Sequence, residues 1–162
     1  MNKVRLASII VSLLCVTGAV PAQSPPSIVG TWKLVAYENH NPHGTTEYPY
    51  GEKPAGYFVY DATGHLSVQI MRTPAMKDDP VLREGKGTVE QYKEAFNSFV
   101  AYFGTYTVDN EKGIVTHHVE GSSRPDYTGT DQPRPFRLEG DRLIIEIRRG
   151  KEYRRRELKR VR

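Results

Sequence analysis

Cysteine is almost missing from this sequence: Cys15 is the single one in 162 residues. It falls in an apolar stretch near the N-terminus, so the chain from residue 23 onward has no thiol at all. That excludes disulfides, zinc ribbons, CxxC redox chemistry and cysteine nucleophiles from the body of the protein. No Gly-rich phosphate loop, Gly-x-Ser-x-Gly elbow or His-Glu-x-x-His pair is present either. Long apolar runs are also lacking. The longest, Leu6 to Val16, is too short to cross a bilayer comfortably. The chain is too short for a TIM barrel or a two-domain dehydrogenase. With 38% hydrophobic and 26% charged residues it has the make-up of a globular protein, neither disordered nor multi-spanning.

What is there begins with a short basic region, Met1-Asn-Lys-Val-Arg5, followed by the apolar run and the small-residue end Val20-Pro21-Ala22. This pattern predicts a secretory signal peptide over 1–22, cleaved after Ala22, and a periplasmic or secreted protein. An uncleaved anchor is the competing reading. Residues 23–27, Gln-Ser-Pro-Pro-Ser, read as a linker, and 28–162 as one domain, long enough to bury a core unaided. The net charge of +4 is unevenly spread. Arg148 to Arg162 holds nine Lys/Arg against two Glu, whereas 23–147 holds twelve basic and seventeen acidic residues. Tyr153, Leu158 and Val161 interrupt the basic run. It therefore reads as a terminal strand with basic side chains on its solvent face, blunting a sheet edge. Weak contact with anionic lipid is the alternative. A nucleic-acid partner is not expected.

The pattern along the domain is mostly of period two. Ile28 to Glu38 is β-rich, with Trp32, Leu34 and Ala36 on one face and Val35 and Tyr37 on the other. Residues 39–55 form a loop with a short strand near Thr46–Tyr50. Gly56–Tyr60 and His65–Met71 form a hairpin around Asp61-Ala-Thr-Gly64. Leu66, Val68 and Ile70 share one face of the second strand, and His65, Ser67, Gln69 and Met71 the other, which is either solvent-facing or a cavity wall. Residues 72–87 are irregular and a candidate lid. Thr88-Val-Glu-Gln91 is a capping box opening a helix over 88–101, with Val89, Tyr92, Phe96, Phe99 and Val100 on one stripe as core contact or barrel lid. Strands follow at Thr105–Val108, Ile114–Glu120, Gln132–Leu138, Arg142–Arg148 and Lys151–Val161. About eight strands joined by short turns, with one helix, predict an all-β, antiparallel, up-and-down barrel.

The triplet Gly30-Thr31-Trp32 resembles the Gly-x-Trp signature of lipocalins. Further segments strengthen the likeness: Gly56-Tyr-Phe-Val-Tyr-Asp-Ala-Thr-Gly-His-Leu-Ser-Val-Gln69, Ala101-Tyr-Phe-Gly-Thr-Tyr-Thr-Val108, Val115-Thr-His-His-Val-Glu120 and Gly129-Thr-Asp-Gln-Pro-Arg134. Together they resemble the bacterial and fungal lipocalin-like domain family over nearly all of 28–162. The resemblance implies a calycin-type barrel able to hold a small molecule, with Gly30 and Trp32 at its closed end. The second lipocalin signature, Thr-Asp-Tyr, is absent, and Pro125-Asp126-Tyr127 is only an echo of it. Lipocalins also place an arginine over the tryptophan, a role open here to Arg155 or Arg160.

Candidate chemistry lies on the strands. His117 and His118 are adjacent, so they point to opposite faces and do not chelate one metal together. His117 shares its face with Val115 and Val119, which predicts that it points inward. Gln132, Arg134, Phe136 and Leu138 share a face, as do Tyr106 and Val108. An inward arginine must be paired or await an anionic ligand group. The expected ligand-binding set is therefore Arg134, His117, Tyr106, Gln132, Gln69 and Met71, with no metal, cofactor or catalytic residue assigned. The leading expectation is an exported barrel binding a small, mainly hydrophobic molecule, with or without an acidic group. One alternative is a barrel enzyme that moves a proton in an isomerisation or cyclisation, with His117 as acid or base. The other is attachment to an envelope polymer or anionic lipid through the basic C-terminal strand.

Overall fold

The computed structural model of the chain describes residues 27–162. The predicted signal peptide over 1–22, and all of the 23–27 linker but Ser27, lie outside the described residues. The period-two segments form β1 (Gly30–His40), a two-residue β2 (Thr46–Glu47), β3 (Ala55–Tyr60), β4 (His65–Met71), β5 (Phe99–Asp109), β6 (Ile114–Ser122), β7 (Asp131–Glu139), β8 (Arg142–Arg149) and β9 (Glu152–Arg160). Two helices, α1 (Pro80–Arg83) and α2 (Val89–Ser98), sit between β4 and β5. Neighbouring strands pair antiparallel in sequence order, and β9 returns to pair with β1. β1 and β3 to β9 thus close an eight-stranded barrel, with β2 clipped to the end of β1. Closure leaves no free edge at β9, so the expected edge-blunting role of the basic strand is corrected: both its sides are paired.

The interior is filled by the alternate residues of each strand, among them Trp32, Leu34, Phe58, Tyr60, Leu66, Val68, Val115, Leu143, Ile145 and Leu158. At one end Trp32 is 0% exposed and donates from its indole Nε1 to the carbonyl of Ile28 at 2.7 Å. Arg160 lies over the Trp32 ring, 4.1 Å from its centroid, and donates to the carbonyls of Val29 and Ser27. Of the two arginines that resemblance left open, the register therefore selects Arg160. Gly30 makes the arrangement possible. Its φ is +140°, and a Cβ there would come within 2.6 Å of the Arg160 guanidinium.

Two β-bulges change which residues look inward. On β1 the pairing with β9 shifts between Leu34 and Ala36. Simple alternation put Tyr37 on the face opposite Trp32 and Leu34; the bulge turns it to the inside. On the β5–β6 pair the register shifts between Phe103 and Gly104. Gly104 is buried there, and a Cβ would run into the backbone carbonyl of His118.

α2 opens on the expected capping box: Thr88 accepts from the Gln91 backbone, and the Gln91 side chain accepts from the Thr88 backbone. Its end and its role differ from expectation. The helix stops at Ser98, and Phe99 and Val100 already belong to β5. Alternating aromatic and β-branched residues pair with β4 from Phe99 onward, and that ladder wins over helix continuation. The helical part of the apolar stripe is not core: no residue of α2 is buried, and Val89 is 76% exposed, while Val100, now on β5, joins the core. The segment read as irregular also contains one helical turn, α1, capped by the Asp79 carboxylate.

Candidate functional site

The barrel encloses a cavity of about 300 Å³ toward the end opposite Trp32, at the small end of the range typical of ligand pockets. Its apolar wall comes from Phe58, Ile70, Val100, Ile145 and Ile147, and its aromatic wall from Tyr37, Tyr50, Tyr102 and Tyr127. Tyr37 meets Tyr50 edge-on at 4.7 Å, and Tyr102 meets Tyr127 at 5.9 Å. Such rings supply large contact area with few degrees of freedom to freeze.

Four arginines also line the cavity, Arg124, Arg134, Arg154 and Arg156, against one carboxylate, Asp126. Arg154 and Arg156 come from β9. Because Leu158 faces the core, the residues two and four positions earlier face the same way. This corrects in part the expectation that the basic strand shows its arginines to solvent: Arg156 is buried, whereas Arg154 lines the cavity and remains exposed. The outward face holds Arg155, Glu157 and Lys159 instead. Arg155 pairs there with Glu38 at 3.6 Å, with Glu146 at 3.8 Å, and with Glu157.

The cavity arginines have no such partners among the described residues. Arg156 is 7% exposed and stacks on Tyr37, 3.3 Å from the ring centroid, while donating to the carbonyls of Glu38 and Arg155. Burial lowers its pKa, though a guanidinium stays charged. Arg134 donates to the Gln132 side-chain oxygen at 3.0 Å and to the carbonyl of Pro133 at 3.1 Å. Arg124 lies over Phe96 at 4.7 Å and contacts Asn97. Residues 1–26 contain no Asp or Glu that could complete an ion pair. Arg124, Arg134 and Arg156 are thus held by neutral groups, and Arg154 is exposed.

Of the sequence-derived set, Arg134 and Gln132 line the cavity, brought side by side on β7. His117 points inward as expected but lies behind the wall. It is 0% exposed, clasped by Tyr60 Oη at Nε2 (2.8 Å) and Tyr102 Oη at Nδ1 (3.0 Å). Burial pulls its pKa down to about 3, with the charge of Arg134 adding to the effect. A ring so held is neutral at any physiological pH, unsuited to proton transfer near neutrality. Tyr106 also faces in, but at the closed half. It packs edge-on against Tyr60 at 5.1 Å and donates to the carbonyl of Asp61 at 2.7 Å, away from the cavity.

Gln69 and Met71 are corrections. Leu66, Val68 and Ile70 are buried, so alternation turns Gln69 and Met71 to the outer face, where Gln69 donates to Ser67 and Met71 is exposed. His118, outward, pairs with Asp131 at 2.7 Å. Residues 72–87 do not line the cavity.

Sequence reasoning missed the four wall tyrosines, Arg124, Arg154 and Arg156. The signal for the last two was present in Leu158; Tyr37 was hidden by the bulge. No cluster of three or more His, Cys, Asp or Glu able to hold a metal occurs among the described residues. None of the described helices is long and apolar enough to cross a membrane.

A family model described as lipocalin-like domain matches residues 29–160. A relative in Aspergillus oryzae, named 4'-hydroxy-3'-methoxypropiophenone carrier protein, is 36% identical over 90 residues, which are 51% of this chain and 77% of that protein.

Proposed function

The chain belongs to the lipocalin-like domain family, and from that premise we propose that it carries a small aromatic molecule with an acidic group inside its barrel. Barrel, family and carrier relative together support small-molecule binding in general. The acidic character rests on one observation: the cavity presents Arg124, Arg134, Arg154 and Arg156 without an ion-pair partner for any of them among the described residues. The aromatic character rests on the tyrosine wall, and the relative's name points to an aryl ketone as that protein's cargo. Residues 1–22 support a further part of the proposal, that the protein works outside the cytoplasm.

Isothermal titration with 4-hydroxycinnamate and its methyl ester tests the reading. The acid is expected to bind at least about tenfold tighter than the ester, and Arg134→Met is expected to shrink the difference. Equal binding of acid and ester removes the anionic part of the proposal. Cell fractionation with N-terminal sequencing tests export, the expected first residue being Gln23.

A further inference from the structure

The His117 cluster has a direction that hydrogen-bond accounting reveals. A neutral imidazole carries one N–H and one lone pair. Between Tyr60 and Tyr102 it must therefore donate to one hydroxyl and accept from the other.

Suppose the proton sits on Nε2. Then His117 donates to the Tyr60 oxygen, and Tyr102 donates to Nδ1. The Tyr60 hydroxyl proton would need its own acceptor. Tyr60 is 0% exposed, and its hydroxyl has no hydrogen-bond partner other than His117 among the described residues. A buried donor would be left without a partner, which is strongly disfavoured.

Suppose instead that the proton sits on Nδ1. Tyr60 donates to Nε2, and Nδ1–H donates to the Tyr102 oxygen. Every buried donor is then satisfied except one: the hydroxyl proton of Tyr102 is set free. Of the three residues, Tyr102 alone lines the cavity.

We infer that Tyr102 is a hydrogen-bond donor to the molecule in the barrel, and that the chain Tyr60 to His117 to Tyr102 fixes the direction of its hydroxyl. The inference rests on the carrier reading and names a specificity contact within it. Tyr102 then joins Arg134, the other inward donor near this floor, whose guanidinium charge is felt at Tyr60, Tyr102 and His117 alike. Gln132, opposite His117 on β7, makes no hydrogen bond to Tyr102 or His117; its oxygen accepts from Arg134 and its nitrogen donates to Thr130. A neutral hydroxyl and a guanidinium lining the same cavity suit a carboxylate or a polarised carbonyl.

The chain orients a proton and does not deliver it. Passing one outward would leave a phenolate on Tyr60, whose pKa burial holds well above the ordinary tyrosine value. The cluster therefore positions a donor for recognition and does not serve acid catalysis. His117 and Tyr60 act as positioning residues.

The test is long-range proton–nitrogen NMR on the histidine-labelled full protein, which reports which ring nitrogen of His117 carries the proton. The expected state is a single Nδ1–H tautomer. Titration with 4-hydroxycinnamate and with 4'-hydroxy-3'-methoxypropiophenone follows. Tyr102→Phe is expected to weaken both by about tenfold. Tyr60→Phe, which does not touch the cavity wall, is expected to abolish the single tautomer and to weaken binding by about threefold. An Nε2–H tautomer in a wild-type protein that binds either probe overturns the relay and leaves the carrier reading standing. Unchanged binding by Tyr102→Phe does the same. Wild-type protein that binds neither probe overturns the carrier reading, and the relay as a ligand contact with it.

Discussion

Gly30, Trp32 and Arg160 form one unit at the closed end of the barrel. The glycine has room for no side chain because the guanidinium occupies that space, and the guanidinium ties Val29 and Ser27 to the tryptophan face. Arg160→Ala removes a stacked cation and two hydrogen bonds and is expected to cost about 1–3 kcal/mol. Gly30→Ala is expected to cost at least as much, since a positive φ is strained for alanine and its Cβ meets the same guanidinium. Urea unfolding measures both, and a loss below about 0.5 kcal/mol in either contradicts the unit.

At His117 the pH dependence has a definite sign. The folded pKa is held at about 3, against an ordinary value of 6.5. Below about 6.5 the unfolded chain binds a proton there and the folded protein does not. The stability associated with the neutral ring is therefore complete above about pH 6.5 and is lost as pH falls toward about 3. Its slope approaches about 1.4 kcal/mol per pH unit inside that window. His117→Gln removes the titrating group and is expected to flatten the stability profile between about pH 6 and 4 by this amount. A variant profile parallel to wild type would place the acid sensitivity elsewhere.

Elements show more clearly what the sequence can and cannot tell. The strands were legible because alternation and turn residues agree: β3 and β4, joined through Asp61 to Gly64, lie where the pattern puts them. The capping box located the start of α2 to the residue, because Thr88 and Gln91 satisfy two backbone donors reciprocally. Its end was misread because Phe99 and Val100 fit a helical stripe and a strand equally well, and only the partner strand decides. Which face of a strand points inward was legible at β6 and β7, where one face is more apolar. It was obscured at β9, where charged residues stand on both faces. On β1 a bulge reverses the alternation halfway along.

The exposed stripe of α2 has a dynamic consequence. With no buried residue, the helix depends on its cap and on surface contacts such as Arg72 with Glu94 at 2.7 Å. Thr88→Ala is expected to speed amide exchange across 89–98 by about fivefold, in line with the loss of about 1 kcal/mol of capping. The melting temperature of the barrel is expected to stay unchanged. A parallel fall in melting temperature would show that the helix is coupled to the core.

Across the whole molecule the barrel sorts the charge of its last strand. Arg155 and Lys159 face outward among carboxylates, Arg160 covers Trp32, and Arg154 and Arg156 face the cavity. Closure by the β1–β9 pairing fixes this sorting, since β9 is held on both sides: Arg156 stays buried, while Arg154 lines the cavity and is still exposed. The closed barrel thus holds a buried cation, Arg156, stacked on Tyr37 and bonded to carbonyls, with no anion beside it. Replacing even a buried ion pair by apolar side chains of similar volume is often neutral or stabilising by about 1–4 kcal/mol, and Arg156 lacks a paired anion among the described residues to offset its burial. Arg156→Met is therefore expected to raise the melting temperature of the ligand-free protein while weakening 4-hydroxycinnamate by about tenfold or more. In wild type, ligand at a hundred times its dissociation constant adds about 2.7 kcal/mol to stability. At that same concentration the variant, with its weaker affinity, gains correspondingly less. Calorimetric melting of both proteins with and without the acid reads the two effects together. A variant that is less stable when empty would make Arg156 a structural clamp on Tyr37 and β1, and Arg134 would then be left as the main anchor of the anion.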